Sequence, residues 1–149
     1  MQRVVKRVER SAEMPVPADR VFAFVSALED LPRWQAGVRS AEQTSPGPMG
    51  VGATALVVRE LMGQRIEAPL LVTAHEPPRL LALSSEVSGV RADARIEVTA
   101  LDTARSRVTF SMEITGSGLT AFMEPMIAAA TERDLAASLE RLAAVLAQS

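Results

Sequence analysis

Closely spaced β-strand patterns occupy the middle of this chain and restrict its fold more than any other feature. Five segments have a strand-like pattern, at residues 53–61, 65–76, 80–87, 91–101 and 107–115, and apolar and polar residues alternate most clearly in the last of them. Such alternation is typical of strands with one buried face. Only short turns separate the segments, whereas a parallel connection needs about a dozen or more residues. The pattern therefore predicts an antiparallel meander.

One further strand and several helices are predicted around the meander. Residues 4–14 alternate, and Pro15 and Pro17 end that strand. Helical spacing follows at 18–26, and Pro32 must stop or bend a second short helical segment at 28–34. From 122 to 146, apolar residues recur every three or four positions, which indicates a long amphipathic helix with a start or a kink at Pro125. The fold class is therefore α+β.

The composition excludes several classes of protein. The length of 149 residues suits one domain, and a net charge of −2 gives no basic surface for nucleic acid. With no cysteine and one histidine, the chain lacks the ligands of a usual metal site, so we expect no metal and no cofactor. We see neither a signal peptide nor a transmembrane segment and predict a cytoplasmic protein. The sequence is compatible with a homodimer.

The order of the predicted elements resembles the helix-grip fold of the START-like (SRPBCC) superfamily, particularly its polyketide cyclase/dehydrase branch. The resemblance rests on MPVPADRVFAF at 14–24, DLPRW at 30–34, GVG at 50–52, EPPRL at 76–80 and the helix ending at 135–142. These segments mark the fold and contain no catalytic group. The resemblance implies one domain over residues 1–149, with a curved antiparallel sheet around the C-terminal helix. It also implies a cavity between them for a small hydrophobic molecule.

One parity of each strand and one helix face would line such a cavity. The predicted ligand-binding residues are Trp34, Leu56, Val58, Glu60, Leu70, Val72, Leu83, Ile96, Phe110, Met112, Phe122, Met123, Met126 and Ile127. The chain has seven methionines and no tyrosine, so the lining would be aliphatic and rich in methionine. A filled core needs the same apolar residues, and the cavity is therefore implied by the resemblance alone.

Glu60 is the first candidate for catalysis. It shares the parity of Leu56 and Val58, and a carboxyl group buried beside a ligand is suited to general acid or base chemistry. The alternative is a solvated Glu60 at the strand end, paired with Arg65 across the predicted hairpin. Exposure of Glu60 would remove the best candidate base.

His75 is the second candidate, as a proton shuttle, because it is the only histidine. It shares the parity of Leu71, so it faces outward if Leu70 lines the cavity. A partly exposed position at the strand end is the alternative. Asp134 and Ser138 lie one turn apart beside the apolar stripe of the predicted helix, where either could contact the sheet.

Three functions are compatible with this sequence. The first is binding or transport of a lipid-like, polyketide-like or aromatic molecule. The second is a polyketide cyclase or dehydrase that uses Glu60, or else His75, as general acid or base. The third is a protein-interaction module of the co-chaperone or quinone-binding type, which a filled interior and a large exposed apolar patch would favour. We take the first as the working hypothesis.

Overall fold

An antiparallel sheet of seven strands forms the centre of the computed structural model, which describes residues 4–61, 63–116 and 124–148. The strands are β1 (Val4–Met14), β2 (Val38–Gln43), β3 (Thr54–Leu61), β4 (Gln64–Glu76), β5 (Leu80–Val87), β6 (Val90–Ala100) and β7 (Ser106–Gly116). Their order across the sheet is β1-β7-β6-β5-β4-β3-β2. Strands β2 to β7 pair in chain order, which confirms the predicted meander.

Three helices and one 3-10 turn pack against one face of this sheet. They are α1 (Ala18–Ser26), the 3-10 turn (Leu28–Asp30), α2 (Leu31–Trp34) and α3 (Glu124–Ala147). Pro32 lies in the first turn of α2, where no backbone N–H is needed, so the predicted bend falls just before α2. The face that these elements cover is called the inner face. The arrangement confirms the helix-grip fold.

The core lies between the inner face and the helices. Its largest fully buried side chain is Trp34, whose ring centroid lies 5.9 Å from that of Phe110 on β7. On α3, a stripe with a spacing of three or four residues is at most 3% exposed and belongs to the same core. The stripe consists of Leu135, Leu139, Leu142 and Leu146. This periodicity explains how one helix face stays in contact with the sheet.

Strand β3 turns the opposite set of alternate residues toward the core from the set that was predicted. Ala55 and Val57 are buried in the core, whereas Leu56 is 39% exposed. Leu56, Val58 and Glu60 therefore face outward, and their predicted inward orientation is wrong. Residues 55–58 are all apolar, so alternation could not choose a face. The register decides instead, because Ala55 lies opposite Leu70, and Leu56 opposite Pro69.

Strand β4 changes its parity part-way along. Val72 lies opposite Leu83, but the register shifts before Ala74, so that His75 lies opposite Leu81. Leu81 and Leu83 are both buried in the core, so Val72 and His75 both face inward although they are three residues apart. The prediction that His75 faces outward if Leu70 faces inward is therefore wrong. A β-bulge, which inserts one unpaired residue, is the physical reason.

Candidate functional site

The inner face of the sheet is closed at one end and open at the other. On β6, Ile96 is 1% exposed beside α1, whereas Ala92, four residues along the same face, is only half-buried. On β5, Leu81 is fully buried and Ser85 is half-buried. We call the half-buried inner-face positions the open end: Ile66, Leu70, Ser85, Val87, Val90, Ala92 and Met112.

An arginine projects onto the inner face beside the open end. Arg59 on β3 lies opposite Ile66 on one side and the buried Val38 on the other, and these two partners fix the face that it occupies. Its Nη2 donates a long hydrogen bond of 3.5 Å to Oε1 of Gln35. Among the described residues, Arg59 has no carboxylate within ion-pair distance. A guanidinium has five N–H donors, so most of its hydrogen-bonding capacity remains available.

Asp134 approaches the same place from α3. Its Oδ2 lies 4.0 Å from the position that a Cβ on Gly37 would occupy, next to the start of β2. One turn further along α3, the buried Ser138 accepts a hydrogen bond of 2.9 Å from the backbone N–H of Ala36. This bond holds α3 to the loop between α2 and β2 and so positions Asp134. We call Gln35, Gly37, Arg59, Asp134 and Ser138 the charged cluster.

Burial changes the acidity of both charged groups in this cluster. It raises the pKa of Asp134 above its ordinary value, and the positive charges of Arg59 and Arg133 offset only part of that effect. It lowers the pKa of Arg59, which the charge of Asp134 partly opposes. An arginine nevertheless stays protonated at physiological pH. The cluster therefore combines a permanent cation with a carboxyl group that takes up a proton more readily than an exposed aspartate, as functional sites often do.

Three buried side-chain polar atoms have no hydrogen-bond partner within the described residues; one is Oγ of Ser26 on α1, and the other two lie at opposite ends of the inner face. These two are Nε1 of Trp34, at the closed end, and Oγ of Ser85, at the open end. Buried polar atoms are nearly always satisfied by protein, water or ligand. Ser85 therefore has a hydroxyl group at the open end whose hydrogen bonds are not satisfied by the described residues.

The predicted ligand-binding residues fall into several environments. Trp34, Val72, Leu83, Ile96 and Phe110 are packed in the core, whereas Leu70, Met112 and Ile127 are half-buried. Leu56, Val58 and Glu60 lie on the outer face, and Met126 is 56% exposed. Phe122 and Met123 lie outside the described residues. Of the predicted ligand-binding residues, the half-buried Leu70, Met112 and Ile127 are therefore the ones that border accessible space.

The two predicted catalytic residues lie on opposite faces. Glu60 is exposed, and its carboxylate lies 2.8 Å from Arg39 of β2 instead of pairing with Arg65. It therefore does not contact the inner site. His75 is half-buried and lies against Phe22 of α1, with a distance of 5.4 Å between ring centroids. This places His75 at the closed end, beside the first helix.

Sequence reasoning missed Arg59 as a site residue. The signal for it was its shared parity with Ala53, Ala55 and Val57, which would have put an arginine on the inner face. The sequence does place Asp134 beside the apolar stripe of α3, but the proximity of Asp134 to Arg59 depends on how α3 crosses the sheet.

The outer face of the sheet carries a groove of about 360 Å³ near the β3–β4 hairpin. Its lining residues are Arg39, Ser40, Val58, Arg59, Glu60 and Arg65. The groove is open to solvent and lies on the side of β3 away from the core. We call it the outer groove.

Among the described residues, no three His, Cys, Asp or Glu side chains come together in a way that could hold a metal ion. No helix in the described part of the chain has the length and hydrophobicity to cross a membrane.

Comparison with known proteins agrees with this geometry. Residues 6–147 match the family described as polyketide cyclase / dehydrase and lipid transport. The chain belongs to this family. A search of functionally curated proteins found no match.

Several solved structures share the fold of this polyketide cyclase/dehydrase family member. A START superfamily protein from Mycobacterium smegmatis has a TM-score of 0.81 at 13% identity, covering 95% of this chain and 97% of its own. The Zhui aromatase/cyclase from Streptomyces sp. R1128 has a TM-score of 0.83 at 14% identity, covering 97% of this chain and 95% of its own. Truncated norcoclaurine synthase from Thalictrum flavum has a TM-score of 0.73 at 18% identity, covering 98% of this chain and 96% of its own. Identities this low establish a shared fold and not a shared activity.

Proposed function

We propose that this protein binds a small, mainly apolar molecule between the open end of the sheet and α3. The observation that carries the proposal is the change in burial along β5 and β6, from a packed core beside α1 to half-buried, mainly aliphatic residues. Ligand sites are mostly apolar, with a few polar groups that fix orientation. Ser85 and Arg59 are suited to that task. The family description, which includes lipid transport, supports the same conclusion.

The first test is whether the purified protein carries or accepts such a molecule. Native mass spectrometry would detect a ligand that co-purifies, and thermal denaturation would screen fatty alcohols, quinones and aromatic polyketides. A ligand at 100 times its Kd stabilises the folded state by about 2.7 kcal/mol. For a chain of this length, that corresponds to an increase in Tm of about 5–11 °C. A ligand-free protein that no member of the panel stabilises would contradict the proposal.

A matched pair of variants locates the binding site. Ala92→Phe adds a ring on the half-buried inner face, whereas Ala74→Phe makes the same exchange on the outer face, opposite Ala82. We expect Ala92→Phe to abolish the ligand-induced increase in Tm and Ala74→Phe to retain it. Equal responses from the two variants would place the ligand elsewhere.

A second candidate function is a cyclase or dehydrase, and the charged cluster favours it. Asp134 would exchange a proton with the bound substrate, and Arg59 would stabilise negative charge on a substrate oxygen. Asp134→Asn keeps the shape of the side chain but removes this acid-base group. An enzyme would lose most of its turnover and keep its ligand-induced stabilisation. Unchanged turnover in Asp134→Asn would exclude this assignment.

A further inference from the structure

The outer groove concentrates positive charge in a chain whose net charge is −2. Two exposed arginines, Arg39 and Arg65, line it together with one carboxylate, that of Glu60, whereas the side chain of Arg59 lies on the inner face. Its volume of about 360 Å³ suits a small molecule. The groove therefore has the size and the charge to hold a small anion.

The pairing of Glu60 leaves one of these arginines without a carboxylate. In the β3–β4 register Glu60 lies directly opposite Arg65, yet its carboxylate is 2.8 Å from Arg39 on the other side. Arg65 has no ion pair among the described residues and is exposed. Arg39 and Glu60 are 65% and 47% exposed, so their ion pair is weak and an incoming anion can compete for Arg39.

Arg65 differs in this respect from other arginines of the sheet. Arg7 pairs with Glu9, Arg91 with Asp93, and Arg95 with Glu97, each on its own strand. Those guanidinium groups are neutralised by a neighbour two residues away. Arg65 also has an acidic residue two positions away, Glu67, but the two form no ion pair among the described residues, so the Arg65 guanidinium at the rim of the groove has no salt bridge there.

The remaining lining residues indicate the chemical class of the ligand. Ser40 lies opposite Val58 on the neighbouring strand, so a hydroxyl donor and an apolar surface stand side by side. One arginine is enough to bind a planar carboxylate through two parallel hydrogen bonds. A phosphate group has three oxygens that point in different directions and can accept from two separate guanidinium groups at once.

We propose that the outer groove binds a small molecule that carries a phosphate group. Arg39 and Arg65 bind the phosphate, the hydroxyl of Ser40 donates a further hydrogen bond, and Val58 contacts the organic part. This site lies on the opposite face of the sheet from the open end and does not depend on the function proposed above.

Phenyl phosphate is a suitable probe, with binding measured by isothermal titration calorimetry at constant ionic strength. We expect saturable binding that weakens at least about tenfold in Arg65→Gln, because a charge-assisted contact is lost. Glu60→Gln removes the competing carboxylate and is expected to tighten binding. Controls are Arg107→Gln and Glu113→Gln, which make the same charge changes at exposed positions of β7. Both should bind as the unmodified protein does, apart from a common small effect of net charge.

Three results would overturn this proposal. The first is the absence of saturable binding to phenyl phosphate. The second is an equal loss of affinity in Arg65→Gln and Arg107→Gln, which would indicate only a general effect of charge. The third is binding to vesicles that contain phosphatidic acid without binding to soluble phosphates, which would indicate a membrane surface. In each case the stabilisation by apolar ligands would be unaffected, so the function of the inner site is judged separately.

Discussion

Gly37 joins the edge of the sheet to the charged cluster, and its replacement by alanine gives a quantitative test of that junction. The residue has a φ of +83°, and its carbonyl accepts a hydrogen bond of 2.7 Å from the N–H of Glu60. A Cβ at this position would lie 3.1 Å from the backbone oxygen of Glu60. Because that oxygen belongs to strand β3, it cannot turn away as a side chain would.

Two separate effects lower the free energy of unfolding in Gly37→Ala. A left-handed backbone conformation costs an alanine about 1–2 kcal/mol relative to glycine. Displacing β2 from β3 by a few tenths of an ångström weakens the bond to Glu60, which adds about 1 kcal/mol. We therefore expect a loss of about 2–3 kcal/mol in the free energy of unfolding, measured by urea denaturation.

Gly89→Ala is the matched control. Gly89 has a φ of +81° in the β5–β6 hairpin, but nothing lies within 4 Å of the position of its Cβ. It should therefore show the conformational cost of about 1–2 kcal/mol without the steric one. Equal destabilisation by the two substitutions would refute the close approach at Gly37. A larger loss in Gly37→Ala should also weaken any ligand contact that depends on Arg59.

Two further predictions concern α3. Ser138→Ala leaves the N–H of Ala36 without its acceptor and should cost about 1–3 kcal/mol in thermal denaturation. Thr131→Ala removes a hydroxyl that bonds only to its own helix, so it should be nearly neutral; a similar loss in both would contradict the proposed role of Ser138. Asp134→Asn tests the raised pKa of Asp134. The raised value means that the folded state disfavours the carboxylate, a penalty that is absent below the ordinary pKa and grows as the pH rises through the folded one. The Tm of Asp134→Asn relative to the unmodified protein should therefore be higher at about pH 7 than at about pH 3. A difference in Tm that does not depend on pH would rule out this explanation.

The architecture could be predicted because its signals are local. Alternation in β7 and the three-to-four spacing in α3 each depend on residues that are neighbours along the chain. Short turns then left an antiparallel meander as the only simple arrangement. Proline positions supplied the limits of β1 and the start of α1.

The faces of β3 and β4 could not be predicted from the same signals. Four consecutive apolar residues, 55–58, satisfy either face of β3. In β4, Leu70, Leu71 and Val72 are likewise all apolar, and no glycine marks the bulge that follows them. The bulge reverses the parity of every later residue of the strand, including His75. The register of pairing between neighbouring strands makes these choices, and alternation within one strand does not reveal that register.

The charged cluster depends on contacts between distant segments, which is why its composition was not foreseen. Arg59 and Asp134 are 75 positions apart along the chain. Their proximity follows from two features, the register of β3 and the hydrogen bond between Ser138 and Ala36. Neither residue is unusual in the sequence, since arginine and aspartate are normally exposed.

The contrast between the closed end and the open end separates the residues that hold the fold from those that border accessible space. A substitution of Ile96 or Phe110 disturbs a packed interior, where the loss of a few methylene groups costs several kcal/mol. Val87, Val90 and Met112 are only half-buried, so a change in their size has a smaller effect on folding. The shape of the open end can therefore diverge among related sequences while the sheet and α3 stay the same. A family built in this way can acquire a new ligand without first acquiring a new scaffold.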